Sequence, residues 1–95
     1  AFREGMSVRQ NPLRPPRNLD DLPWPARDTL PTVLRRGGTA ALLSSRGCPM
    51  RCGFCSVHAF YDLNGSGWRA RSPDDVAKEA AFLAETFSPS MIVFN

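Results

Sequence analysis

Three cysteines crowd into eight residues, Cys48-Pro-Met-Arg-Cys52-Gly-Phe-Cys55, and no other cysteine occurs in the 95-residue chain. An odd number of thiols at C-x3-C-x2-C spacing does not make a disulfide framework. Ala1 to Gln10 carries charges and no apolar core, so it does not read as a secretory leader. The pattern points to a reduced compartment and to a metal or catalytic role. Thiolates are soft donors that select zinc, copper(I) or an iron–sulfur cluster. Gly47 and Gly53 let backbone approach a bulky group and leave amide N–H groups free to meet cluster sulfides. Iron–sulfur cubanes are commonly held by four cysteines. With three, one iron lacks a protein ligand and a small molecule can bind there, by the logic that keeps a position open on catalytic zinc. A different reading adds His58 through Cys55-Ser-Val-His58. It gives a closed Cys3His zinc site in an interaction or RNA-binding module.

The elements that must position these thiols can be read on either side of them. Thr39 to Ser45 (TAALLSS) lies between Gly37-Gly38 and Gly47 and suits a strand buried on both faces. Residues 46 to 71, with Gly47, Pro49, Gly53, Gly65 and Gly67, read as a long functional loop. Ser72 to Phe87 reads as a helix with Ser72 as N-cap, Pro73 as first helical residue and Asp75 as capping-box partner. Asp74 and Asp75 suit the positive end of its dipole. Val76, Ala80, Leu83 and Phe87 form one apolar stripe, while Asp74, Lys78 and Glu85 face away, with Asp74–Lys78 spaced for an ion pair. Ser88-Pro89 stops the helix, and Ser90 to Asn95 (SMIVFN) reads as a second buried strand. Strand, loop, helix and strand make a βαβ unit with a right-handed parallel crossover.

Residues 1–37 read as a Pro/Arg-rich linker or arm in extended or polyproline conformation, since five of the nine prolines lie between Pro12 and Pro25. Its Leu22, Trp24, Leu30, Val33 and Leu34 are too apolar for a solvated tether and are expected on the surface of a folded body. Two strands under one helix do not close a parallel sheet, so the chain reads as part of a larger protein. Net charge is +3, and eleven of the twelve basic residues are arginine. The arginines of the arm are diluted by Glu4, Asp20, Asp21 and Asp28 and lack interleaved aromatics, which argues against nucleic acid. Arg69 and Arg71 could hold a carboxylate or phosphate, or pair with Asp74 and Asp75; the pairing is the expected use. No apolar run approaches the length of a membrane span.

CxxxCxxC with Phe54 before the last cysteine, just after a first strand, resembles the signature of radical S-adenosylmethionine (radical SAM) enzymes. LPWPARDTLP (Leu22 to Pro31), SSRGCPMRCGFCSVHAFY (Ser44 to Tyr61), WRARSPDDV (Trp68 to Val76) and MIVFN (Met91 to Asn95) resemble the subgroup with a cobalamin (B12)-binding domain. That subgroup includes methyltransferases and a ring cyclase. The resemblance implies the first βαβ portion of a partial (β/α) TIM-like barrel over residues 38–95, preceded by the arm. Cys48, Cys52 and Cys55 would each ligate one iron of a 4Fe–4S cluster. The fourth iron would chelate S-adenosylmethionine, whose reductive cleavage gives a 5′-deoxyadenosyl radical. Phe54 and Asn95 would be cofactor-binding. A small-molecule substrate, an electron donor such as flavodoxin or ferredoxin and a cytoplasmic location are also implied. The subgroup's Asp-x-His-x-x-Gly motif is absent, as His58 is the only histidine, so cobalamin would bind outside this chain. The chain alone is not expected to turn over.

Overall fold

The structure is a computed structural model that describes residues 1–62 and 67–95, so Gly65 of the cysteine-bearing loop lies outside the described residues. In chain order it comprises β1 (Phe2–Glu4), β2 (Ser7–Arg9), a 3-10 turn (Leu19–Asp21), α1 (Leu30–Arg35), β3 (Ala40–Leu42) and β4 (Ser45–Gly47). It continues with α2 (Val57–Asp62), β5 (Trp68–Ala70), α3 (Pro73–Phe87) and β6 (Ile92–Phe94). The described strands pair two by two: β1 with β2 antiparallel, β3 with β6 parallel, and β4 with β5 antiparallel. The fold is mixed α/β with a parallel pair and no closed barrel among the described residues.

Local chemistry sets the ends of α3. The Ser72 hydroxyl accepts from the Asp75 N–H at 3.2 Å, Pro73 opens the first turn, and Ser88 closes the helix in the left-handed region with its N–H on the Ala84 carbonyl. The capping box is only half built, which corrects the role expected of Asp75. The Ser72 N–H donates instead to Asp20 Oδ1 at 2.9 Å, while both Asp75 oxygens serve Trp24 and Arg71. The arm therefore supplies the missing half of the cap. The Asp74–Lys78 spacing also goes unused, with no ion pair between them among the described residues.

The predicted stripe is the core face of α3. Leu83 is fully buried against Leu30, Ala40 and Leu42, with Val76, Ala80 and Phe87 packed around it. Two expectations about the strands are corrected. Ala40 and Leu42 are buried but Ala41 between them is exposed, and β6 is at most half-buried, with Phe94 58% exposed. α3 covers one face of this sheet and no described element covers the other, so alternate side chains meet solvent. The radius of gyration is 17.6 Å, against about 12 Å for a compact chain of this length, as the fully exposed N-terminal segment requires.

The arm is less uniform than its prolines suggest. Residues 10–18 hold no regular element, but α1 starts at Leu30 with Pro31 in its first turn, where a proline loses no helical bond. Leu30 is in the core and Leu34 packs against it, whereas Val33 is left exposed. The Trp24 ring lies 5.8 Å from that of Phe82. At the other end β1–β2 is fully exposed and turns at Gly5, whose φ of +60° suits glycine.

A buried ionic cluster fastens the arm. Glu79 is 1% exposed and accepts from Arg27 Nη2 at 2.6 Å and Arg71 Nη1 at 2.5 Å. Arg71 Nε reaches Asp75 at 2.7 Å, and the Trp24 indole N–H donates to the other Asp75 oxygen at 3.0 Å. Both guanidiniums also donate to β3 or the residue after it: Arg27 to the Ala41 carbonyl at 2.9 Å and Arg71 to that of Leu43 at 2.8 Å. Burial works against the charge on Arg71, but its bonds to Glu79 and Asp75 outweigh that and hold its pKa above the ordinary value.

Glu79→Ala would leave two guanidiniums facing each other with no acid between them. We expect a loss of about 3 kcal/mol in chemical denaturation. The Trp24 hydrogen bond, and then that of Arg71, hold the Asp75 carboxyl below its usual pKa. A depressed carboxyl adds stability above its unfolded value of about 4. That stability is lost as pH falls through the lower, folded value. Trp24→Phe should move the Asp75 titration, followed by carbon NMR of the carboxyl, up toward the ordinary value.

Candidate functional site

The cysteine segment is not the featureless loop its glycines suggest. β4 and β5 pair in the register Ser45↔Ala70, Arg46↔Arg69 and Gly47↔Trp68, and close the base of residues 48–67. Gly47 makes this possible. Its φ is +87°, and a Cβ there would run into the Gly67 carbonyl oxygen. Without one, the Cys48 N–H reaches that oxygen at 3.3 Å. The base is tied to the parallel pair by the Arg71 N–H on the Ser44 carbonyl at 2.9 Å and the Ser44 N–H on the Asn95 carbonyl at 3.0 Å. Strands this short carry too little alternation to be read in sequence.

Cys48, Cys52 and Cys55 are all free thiols and all half-buried. The Cys55 N–H closes a turn on the Cys52 carbonyl at 3.1 Å, which lifts Phe54 into solvent at 95% exposure. α2 follows directly and carries His58. Cys48 and His58 line one cavity of about 290 Å³ with Arg51, Asp62 and Trp68, and Arg51 and Asp62 form an ion pair at 3.7 Å. His58 Nδ1 is buried without a hydrogen-bond partner among the described residues. Cys52 and Cys55 do not line this cavity. Among the described residues no three Cys, His, Asp or Glu side chains converge closely enough to hold a metal ion. The thiols thus share a loop but not a common focus. As a donor set they still fit an iron–sulfur cluster, being three unpaired soft ligands on one loop. Asn95 sits apart from them by backbone position. Its N–H and carbonyl bind Leu42 and Ser44 where β3 and β6 end, the edge from which the cysteine segment also departs.

Arg71 takes its expected acid, Asp75, but also Glu79, and Asp74 makes no ion pair among the described residues. Arg69 donates to the Arg17 carbonyl at 2.5 Å. Glu79 was not singled out by the sequence reading. The available sign was a glutamate inside the apolar stripe, between Val76 and Ala80.

The chain is similar to two transferases. It is 32% identical to an uncharacterized methyltransferase of Pyrococcus horikoshii over 98 residues, which span 99% of the chain. It is 43% identical over 67 residues, 66% of the chain, to the ribosomal protein uS12 methylthiotransferase RimO of Frankia casuarinae. It spans 21% and 12% of the lengths of these relatives. No protein-family model matches the chain, and no solved structure does. No helix among the described residues is long and apolar enough to cross a membrane.

Gly47→Ala should cost about 1–3 kcal/mol from backbone strain, with the clash against Gly67 added. The Cys48 amide should lose its protection in hydrogen exchange while α3 amides keep theirs.

Proposed function

We propose that this chain is the cluster-binding start of a radical S-adenosylmethionine enzyme that transfers a methyl or methylthio group. The carrying observation is a set of three unpaired thiols on one loop that departs from the end of a parallel strand pair. The open crevice beyond the carboxyl ends of parallel strands is where α/β proteins place ligands. The likeness to a methyltransferase and a methylthiotransferase supports the same class of chemistry.

In this reading Cys48, Cys52 and Cys55 hold a 4Fe–4S cluster and leave one iron to S-adenosylmethionine. When bound, such a cluster supplies the electron that cleaves the sulfonium. The chain's own residues position and shield. Gly47 pins the base of the loop, the turn at Cys52–Cys55 spaces two thiols, and Phe54 and Asn95 contact S-adenosylmethionine. A partial (β/α) barrel continued beyond β6, a small-molecule substrate, a donor such as flavodoxin or ferredoxin and a cytoplasmic setting belong to the same proposal. Cobalamin is assigned to no residue of this chain, since its only histidine is not in an Asp-x-His-x-x-Gly setting.

One observation favours a second reading. His58 has a buried Nδ1 with no partner among the described residues and shares a cavity with Cys48, one of the three cysteines that a Cys3His zinc site in an interaction or RNA-binding module would use. Anaerobic reconstitution with iron and sulfide separates the two. The cluster reading expects a brown protein with about four irons and four sulfides per chain. Replacing any one of the three cysteines by Ala should abolish the colour, and His58→Ala should keep it. A colourless chain that takes up zinc and releases it on His58→Ala would overturn the proposal.

A further inference from the structure

The register of β4 and β5 sets two arginines directly opposite each other, Arg46 on Arg69. Facing residues of an antiparallel pair send their side chains to the same side, with Cβ atoms about 5 Å apart. Like charges in that position oppose pairing, and an anion between them would offset the repulsion. No acid pairs with Arg46 or Arg69 among the described residues. Arg71, the next guanidinium along the same side of this chain segment, is already matched by Asp75 and Glu79. Arg46 is exposed. Arg69 spends one nitrogen on the Arg17 carbonyl, yet its Nε is buried without a partner among the described residues. An unmet buried N–H of a charged group is costly, and water has little access to repay it.

We infer that Arg46 and Arg69 form a site for an oxyanion, a carboxylate or phosphate group, at the base of the cysteine loop. The guanidinium fork matches two oxygens of either group at once. A cavity of about 60 Å³ lined by Arg46, Leu19, Leu22, Trp24 and Leu43, though not by Arg69, has room for such a group beside Arg46. Arg46 lies two residues before Cys48 on the chain, so an anion held here sits at the entrance to the thiol loop. It does not depend on the thiols binding anything, and the metal-free chain tests it.

The experiment is a nitrogen-15 NMR titration of the metal-free chain with inorganic phosphate and, separately, with acetate, at constant ionic strength in chloride. The Nε–H signals of Arg46 and Arg69 should shift together and saturate. Arg46→Gln should weaken binding at least tenfold, and Arg46→Lys, which keeps the charge but loses the fork, should fall between. Arg36→Gln, an exposed arginine at the end of α1, should bind as the parent does. Arg46 makes no ion pair in the described structure, so its replacement should leave the α3 circular-dichroism signal intact. Tighter binding of phosphate identifies a phosphorylated ligand, and tighter binding of acetate a carboxylate. Shifts that never saturate, or an Arg46→Gln chain that responds like Arg36→Gln, would overturn the site.

Discussion

A carboxylate stripped of water must be matched by charge and hydrogen bonds, and Glu79 is matched by two guanidiniums from distant parts of the chain. Arg27 brings the arm, and Arg71 brings the junction between the cysteine hairpin and α3. Replacing such a group by apolar residues is often neutral for stability, so its influence lies mainly in the arrangement it enforces. Any other seating of the arm leaves Glu79 buried and short of a partner. Asp20 on the cap of α3 and Trp24 on Asp75 follow from the same docking, because each lies on the stretch of arm that Arg27 anchors.

The helix and the parallel pair were legible because their signals are local. Ser72-Pro-Asp-Asp fixes a start, a four-three-four apolar spacing fixes a face, and two short apolar runs flank it. The extent of burial was not legible, since an apolar run cannot say whether one face or two will be covered. Leu30 and Leu34 carried a helical spacing that Pro31 disguised, because the same proline that breaks a helix interior is welcome in its first turn. Glu79 was hidden by its own stripe. A glutamate among apolar neighbours reads as an edge residue until its partners, more than fifty positions away in one case, are known.

For the site, composition was more readable than geometry. Spacing counts the donors that a loop can offer. The direction of each thiol depends on backbone torsions and on how the loop is closed. Here the closure rests on a glycine with positive φ and a three-residue strand pair, neither of which has a periodic signature. His58 was visible as the only histidine, but not its burial beside Cys48. The opposition of Arg46 and Arg69 emerges only from the register, where a shift of one residue would have separated them.

The carbonyls of Ala41 and Leu43 point away from β6, because neighbouring residues of a strand send their backbone groups to alternate sides, and Ala40, Leu42 and Ser44 are the ones that bond to it. With Arg27 and Arg71 seated on them, that border of the sheet is sealed against a newcomer. Ile92 and Phe94 meet no such stopper among the described residues. The β3 border is therefore closed by the arm, and the β6 border is the one left open to pairing among the described residues.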